Sequence, residues 1–287
     1  MASSDTHRAI DAIWRIEAAR VIAGVARIVR DVGLAEDLAH DALLAALEHW
    51  PVSGVPANPG AWLTTTSRRR ALDHLRHVRQ AEAKHEAIGR DLDIRHAWGA
   101  FDVDRHLDDD IGDDLLRLVF TACHPVLPTE GRIALTLRLL GGLTTPEIAR
   151  AFLVPEPTVA QRIVRARKVL ADRQIPFDVP RGADLVPRLA SVLDVIYLIF
   201  NEGYAATSGD DWMRPALCED ALRLGRVVAG LMPGESEVHG LVALMEIQAS
   251  RARARTTPAG DPILLLEQDR SRWDRLLINR GLAALDE

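Results

Sequence analysis

Cysteine and aromatic residues are scarce in this chain of 287 residues. It has two cysteines, Cys123 and Cys218, with no CxxC pair, and aromatic residues make up 5% of the composition. So few thiols exclude a disulfide scaffold and a cysteine-rich zinc site. We interpret Cys123 as a small buried residue and expect both thiols to be reduced.

Long apolar runs are missing as well. The first twenty residues, MASSDTHRAIDAIWRIEAAR, carry charges throughout and do not resemble a signal peptide. No apolar run approaches the roughly 20 residues that cross a bilayer as a helix. We therefore expect a cytoplasmic protein that has no membrane partner.

The familiar signatures of enzymes are also lacking. The sequence has no Walker loop and no GxGxxG, and its 10 histidines show no metal-ligand spacing with acidic and cysteine partners. We expect a protein that is not an enzyme, with no cofactor and no metal. An unrecognised ligand pocket in the C-terminal part stays an alternative. The net charge of −6 argues against simple non-specific coating of nucleic acid.

What the chain does have is helix-forming residues. Hydrophobic residues make up 48%, and Ala, Leu and Arg are abundant, which predicts an all-α fold with a real core. Apolar residues from Ile10 to Ile28 recur every three or four positions, and Gly33 is predicted to end this first helix. A second stripe follows and is predicted to stop at Pro51; it comprises Leu34, Leu38, Ala42 or Leu43, Leu44 and Leu47.

Breaks in composition divide the chain. Residues 51–60 contain three prolines and two glycines and predict a loop, and a third helix should follow from about residue 61. Between Asp91 and Asp114 there are nine aspartates and two arginines, which we interpret as a linker, with the next helix starting near Asp113. The predicted parts are a first module at 6–90, an acidic linker at 91–112, a second module at 113–175 and a helical extension at 185–287.

Residues 144–170 predict a DNA-binding helix-turn-helix. Thr144 or Thr145 can cap a short helix with Pro146 in its first turn, and Val154-Pro155 makes the turn to a second helix. That helix should bury apolar residues and present polar ones to the major groove. The candidate DNA contacts are Thr158, Gln161, Arg162, Arg165 and Lys168. The alternative is a pair of packed surface helices with solvated arginines.

The helix predicted from Ala61 to Arg79 combines an aromatic residue, threonines and basic side chains. Such mixtures bind single-stranded DNA by stacking and charge. On its own, an arginine run is more commonly explained by a solvated basic helix. The candidate contacts are Trp62, Thr65, Arg68, Arg69, His74 and Arg76.

Taken together, the two modules resemble extracytoplasmic-function (ECF) sigma factors. Asp31 to Trp50, Pro59-Gly-Ala-Trp-Leu and Arg70 to Arg76 resemble region 2 of that family, and Leu139 to Leu170 resembles region 4. The resemblance implies a helical protein that binds core RNA polymerase through its β′ and β subunits. It also implies recognition of promoter DNA at the −10 element by region 2 and at the −35 element by region 4.

The resemblance also implies roles for individual residues. The second helix would face polymerase, and the loop at 52–58, with Ser53 and Asn58, would capture a flipped −10 base. For the leucines of that helix, an internal core position is an equal alternative. The acidic linker would run through the polymerase, or serve only as a solvated tether. The implied polymerase-binding residues are Asp37, His40, Asp41, Leu44 and Leu47.

The region beyond Leu185 is similar to the helical extension of one subgroup of these sigma factors, where it replaces a separate regulatory protein. We expect it to pack on the chain's own sigma domains and to regulate them. Because the chain ends soon after Asp274, a shortened extension is one interpretation. Asn201, Glu202 and Tyr204 suggest either a binding site or hydrogen bonding between domains. The competing hypothesis for the whole chain is a helix-turn-helix repressor or activator with a ligand-sensing domain.

Overall fold

The computed structural model describes residues 2–87, 109–205, 213–257 and 261–287. In these segments the regular structure is helical, apart from an isolated bridge between Thr256 and Pro262. The all-α prediction is therefore confirmed. The chain divides into two compact units, Met1–Leu118 and Val119–Glu287. Of the helices described, none is both long and apolar enough to cross a bilayer.

The first unit is built on three long helices that pack against one another: α1 (Ala2–Val29), α2 (Val32–Ser53) and α3 (Pro59–Ala87). The apolar stripe predicted for α1 is buried, from Ile10 and Trp14 to Val25. The face that α2 buries is made mostly of small residues, including Ala35, Ala39, Ala42 and Ala46. These alanines let the helices approach closely, so Leu38 is buried while the other leucines of α2 lie toward its sides.

The break between α1 and α2 was predicted at Gly33, and that prediction is wrong. Arg30 takes the left-handed conformation (φ +55°), and Asp31 caps α2 by accepting a hydrogen bond from the Leu34 amide at 2.9 Å. Gly33 lies inside the first turn of α2. The aspartate cap starts the new helix before the glycine can act as a stop.

The end of α2 was predicted at Pro51, and this is also wrong. The helix passes through Pro51 to Ser53 and ends at Gly54, which has a φ of +83°. A proline inside a helix removes one backbone hydrogen bond and crowds the carbonyl four residues earlier, and at Pro51 this disruption falls in the last turn, next to the end of the helix. The loop to α3 is correspondingly short and comprises residues 54–58.

The fourth helix, α4 (Asp109–Ala122), begins before the predicted start near Asp113. Within the first unit, Asp114 is buried, lies 3.4 Å from the Arg27 guanidinium of α1 and accepts a 2.6 Å hydrogen bond from Arg117. A buried carboxylate is stable because it is paired. Most of the predicted acidic linker, residues 91–108, lies outside the described residues.

The described residues of the second unit form seven further α-helices. The helix α5 packs on α6, α7 and α8, and α6 packs on α7. The helices α8 and α9 are in contact, as are α9 and α10, and α10 and α11. Their bounds are α5 (Thr129–Leu139), α6 (Thr145–Phe152), α7 (Glu156–Asp172), α8 (Leu185–Tyr204), α9 (Pro215–Leu231), α10 (Ser236–Ala249) and α11 (Arg275–Leu285).

Candidate nucleic-acid interfaces

The short helix α6 begins with a reciprocal cap. The Glu147 amide donates to the Thr144 hydroxyl at 3.3 Å, and the Glu147 carboxylate accepts from the Thr144 amide at 2.8 Å. Pro146 lies in the first turn, where a missing N–H costs nothing. Of the two threonines offered as caps by the sequence, Thr144 is the one used.

The turn after α6 turns the chain sharply into α7. Leu153 has a left-handed φ of +49°, and the Val154 amide donates to the Ala149 carbonyl at 3.0 Å. Buried Ile148 and Ala149 make the inner face of α6. The inner face of α7 is also buried and consists of Val159, Ile163, Ala166 and Leu170. The arrangement is the short helix, tight turn and second helix of a helix-turn-helix.

The outer face of α7 is polar and largely accessible. Gln161, Arg165 and Lys168 are exposed, while Thr158 and Arg162 are half-buried. Glu156, also exposed, lies at the N-terminus of the helix, where a carboxylate is favourable. The face therefore offers amide and guanidinium donors of the kind that read base edges and hold phosphates.

The basic face of α3 in the first unit begins at an aromatic pair. The ring of Trp62 packs edge-on against that of Trp50, with centroids 5.3 Å apart. Thr65 and Arg69 are exposed beyond it, and Arg68 points inward, since a Cβ on Gly24 of α1 would lie 3.7 Å from its guanidinium. Farther along α3, His74 is half-buried and exposed Arg76 is hydrogen bonded to Asp73 at 2.8 Å.

The polar side chains beside the loop between α2 and α3 are used locally. The Ser53 hydroxyl donates to the His49 carbonyl at 3.0 Å, and the Asn58 side chain accepts from the Ala61 amide at 3.0 Å. Both residues are exposed. Asn58 thus caps α3, and the loop itself exposes Val55, which is 41% accessible.

One side of α2 carries the residues assigned by resemblance to polymerase binding. Asp37 and Leu44 are exposed, and Leu44 is 57% accessible, so its predicted place in the apolar stripe is wrong. The remaining three are half-buried. Asp41 lies 3.6 Å from the Arg70 guanidinium of α3, while His40 packs 5.4 Å from the Trp14 ring and Leu47 lies one turn after Leu44.

The C-terminal cluster predicted at Asn201, Glu202 and Tyr204 is divided by the structure. Buried Glu202 forms an ion pair with Arg214, and the Tyr204 hydroxyl accepts from Arg251 at 2.9 Å. Asn201 is exposed. For Glu202 and Tyr204 these hydrogen bonds join residues of the extension itself, whereas the sequence interpretation expected hydrogen bonding between domains.

Sequence reasoning missed four side chains, from the start of α8 to the middle of α9, that donate hydrogen bonds to backbone carbonyls of α4–α6 and their turns. Arg188 donates to the Phe120 carbonyl at 2.9 Å, and the Ser191 hydroxyl donates to the Cys123 carbonyl at 2.5 Å. The other two are Arg214, which donates to the Ala151 carbonyl, and Arg223, which donates to the Leu140 carbonyl. The four are spread over 36 positions and form no motif, so only the fold brings them together.

The two cysteines are buried thiols. Cys123 lies 3.3 Å from the Thr136 hydroxyl, and burial raises its pKa to about 11. Burial also raises the pKa of Cys218 to about 12. Neither is poised as a nucleophile. Over the part of the chain that the structure describes, histidine, cysteine and carboxylate side chains never gather in threes as a metal ion requires.

Three family models match the chain in sequence order. Residues 14–81 match sigma-70 region 2, residues 117–170 match sigma-70 region 4, and residues 188–287 match a family of unknown function, DUF6596. The first match covers most of α1–α3, and the second ends within α7. The third covers the extension.

Similar proteins are of two kinds, an uncharacterised protein and ECF RNA polymerase sigma factors. An uncharacterised protein of Rhizobium meliloti is 42% identical over 262 residues, which are 91% of this chain but only 61% of that protein. The ECF RNA polymerase sigma factor SigC of Mycobacterium tuberculosis is 30% identical over 155 residues, which are 52% of this chain and 74% of that protein. The ECF RNA polymerase sigma-E factor of Haemophilus influenzae is 37% identical over 76 residues, 26% of this chain and 40% of that protein. No solved structure matches the chain significantly.

Proposed function

Because the chain belongs to the ECF family of RNA polymerase sigma factors and carries a C-terminal extension domain, we propose that it directs core RNA polymerase to a set of promoters and starts transcription there. The observation that carries the proposal is the order of the matches: region 2 and region 4 occur in one chain, and region 4 ends in a helix with an exposed basic face. A protein with this function works in the cytoplasm.

Each part of the chain takes one task in this proposal. Residues 6–90 act as region 2, residues 91–112 as the acidic tether, residues 113–175 as region 4 and residues 185–287 as the regulatory extension. The matched ranges 14–81, 117–170 and 188–287 support this division.

The −35 element is read by α7. Gln161, Arg165 and Lys168 are exposed, and they have the donors that contact purine edges and phosphates in the major groove. Thr158 and Arg162 are half-buried and lie at the edge of the same face. These five residues make up the proposed −35 contact set.

The −10 element is bound by α3 and the loop before it. Exposed Thr65, Arg69 and Arg76 supply polar and cationic contacts, and Trp62 offers a stacking surface. Arg68 contributes chiefly by supporting α3, because it lies against α1. The set also includes Ser53, Asn58 and His74.

The helix α2 binds the β′ subunit of core polymerase, and region 4 contacts the β subunit. An exposed leucine costs solubility in an isolated domain, and Leu44 is 57% accessible on α2 beside exposed Asp37. Half-buried His40, Asp41 and Leu47 surround it.

The extension regulates region 4 by direct contact. Support comes from the hydrogen bonds that Arg188, Ser191, Arg214 and Arg223 donate to carbonyls of α4–α6 and their turns. Removing everything beyond Asp184 should therefore change promoter-specific transcription. Unchanged activity in that deletion would contradict a regulatory role.

The proposed function is tested by measuring promoter DNA binding with and without core polymerase. The protein alone should bind weakly, and addition of core should give a tight complex in which the −10 region becomes reactive to permanganate. Tight binding of duplex DNA by the protein alone, unchanged by core, would instead favour a repressor or activator.

A further inference from the structure

Arg214 lies just before α9 and reaches the helix-turn-helix. One of its terminal nitrogens donates to the Ala151 carbonyl at 2.5 Å and to the Glu202 carboxylate. Both charged side chains are nearly buried, with exposures of 12% for Arg214 and 10% for Glu202. Buried pairs of this kind hold a fixed geometry, because neither charge can exchange its partner for water.

The Ala151 carbonyl needs a donor from outside its own helix. In an α-helix the carbonyl of residue i accepts from the amide of residue i+4, and here that position is Pro155, which has no N–H. The amide of Val154 is directed to the Ala149 carbonyl at 3.0 Å. The turn that makes the helix-turn-helix therefore leaves a carbonyl that the guanidinium satisfies, at a helix C-terminus where a cation is favourable.

A second arginine holds the other side of α6. Arg223, on α9, donates to the Leu140 carbonyl at 3.1 Å and to the Gly141 carbonyl at 3.3 Å. These carbonyls lie between α5 and α6. The chain is thus held by the extension both where it enters α6 and where it leaves it for α7.

We propose that Arg214 and Arg223 are positioning residues for promoter recognition: by holding the backbone on both sides of α6, they set the direction in which α7 is presented to DNA. Neither side chain belongs to the exposed face of α7. This inference rests on the proposed function, because it assigns −35 reading to α7. The extension is then a structural part of the unit that reads the −35 element.

The test compares full-length variants bound to core polymerase. Arg214→Met alone leaves the Glu202 carboxylate buried without the guanidinium, so the informative variant is Arg214→Met with Glu202→Gln, which removes both charges. Arg214→Lys keeps a charged donor. Arg280→Met is the matched control, because Arg280 is an exposed arginine on α11.

Two readouts are taken for each variant. The first is affinity for a −35 duplex selected from random sequence by the wild-type holoenzyme, alongside affinity for a single-stranded −10 oligonucleotide. The second is hydrogen exchange of residues 152–160 in the protein without DNA. The double variant should exchange faster at 152–160 and should lose up to about tenfold in −35 affinity, because DNA binding must then reorder a turn that had been held by one charged hydrogen bond. Its −10 affinity should not change, and Arg214→Lys should recover part of the loss.

Two results would overturn the inference. One is unchanged exchange at 152–160 in the double variant, and the other is faster exchange with unchanged −35 affinity. Failure of the proposed function is separate: a wild-type holoenzyme that selects no −35 sequence would contradict it, while the exchange measurement would still decide whether Arg214 holds the turn.

Discussion

The indole of Trp62, at the start of α3, packs edge-on against the indole of Trp50, near the end of α2, with a centroid distance of 5.3 Å and an angle of 71° between the planes. Trp50 is only 2% exposed, so it fixes the half-buried Trp62 in place. The short loop at 54–58 joins the two helices next to this pair. The stacking surface proposed for the −10 strand is therefore held against α2 by this pair of rings.

Replacing Trp62 with leucine tests this surface. Trp62→Leu keeps an apolar side chain against Trp50 but removes the aromatic plane, so the holoenzyme should bind a single-stranded −10 oligonucleotide about tenfold or more weakly. Trp273→Leu, a half-buried tryptophan of the second unit, is the control. Equal affinities for both variants and the wild type, by fluorescence anisotropy, would remove Trp62 from the −10 contact set.

Arg165 is the sharpest test of the −35 contacts. It is exposed on α7, so Arg165→Ala should leave the melting temperature unchanged. Loss of a base or phosphate contact should weaken binding to a selected −35 duplex by about 1–3 kcal/mol. Salt titrations separate the two contacts, because loss of a phosphate contact lowers the salt dependence. An affinity equal to that of Arg280→Ala would contradict the assignment.

Leu44 tests the proposal that one face of α2 binds core polymerase. Because its side chain is 57% exposed, Leu44→Glu should fold normally while lowering affinity for core polymerase at least tenfold by placing a charge in an apolar contact. Ile16→Glu is a matched control, since Ile16 is 70% exposed on α1. Affinity is measured by competition with another sigma factor for core. If both variants compete as well as the wild type, α2 does not bind core through Leu44.

His124 makes the stability of the second unit depend on pH. Its Nδ1 accepts from the Val126 amide at 3.0 Å, and burial lowers its pKa from 6.5 to about 4. The folded state therefore favours the neutral ring, and the unfolded chain binds a proton more readily. This stabilisation is complete above about pH 6.5 and is lost as the pH falls toward 4.

The corresponding measurement is the melting temperature at pH 7 and at pH 5. The wild type should lose more stability between these values than His124→Gln, which cannot take up the proton. His77→Gln, at an exposed histidine of α3, should behave like the wild type. An equal loss in all three proteins would exclude His124 as the source.

Gly203 tests the packing of the extension. A Cβ at this position would lie 2.7 Å from the Cys218 amide nitrogen, which is backbone and cannot move cheaply. Gly203→Ala should destabilise the protein by about 1–3 kcal/mol. Gly240→Ala, in α10 where a Cβ meets nothing within 4 Å, should instead raise stability by about 0.5–1 kcal/mol. Chemical denaturation measures both, and equal midpoints would contradict the close approach of α8 and α9.

The helix-turn-helix could be predicted almost residue by residue because its signals are local. The cap at Thr144, the turn at Val154-Pro155 and the buried positions of α7 all lie within a short stretch and agree with one another. Leu44 was misplaced because the period of α2 fits a leucine stripe, whereas close packing selects its alanines for the core. That choice depends on the neighbouring helices.

The contacts made by the extension could not be predicted, for a related reason. Arg214 and Ala151 are 63 positions apart, and each looks ordinary in its own segment. Pro155 was recognised in the sequence as part of a turn. The donor that satisfies the Ala151 carbonyl in place of the missing Pro155 N–H comes from a distant segment of the chain. Long-range satisfaction of backbone carbonyls leaves no periodic pattern.

The most direct test of the account is a run-off transcription assay with purified core polymerase and genomic fragments. The wild-type protein should produce transcripts of defined start that core alone does not make, and Arg165→Ala and Leu44→Glu should reduce them. A set of transcripts that is the same with and without the protein would contradict the proposal that this chain initiates transcription.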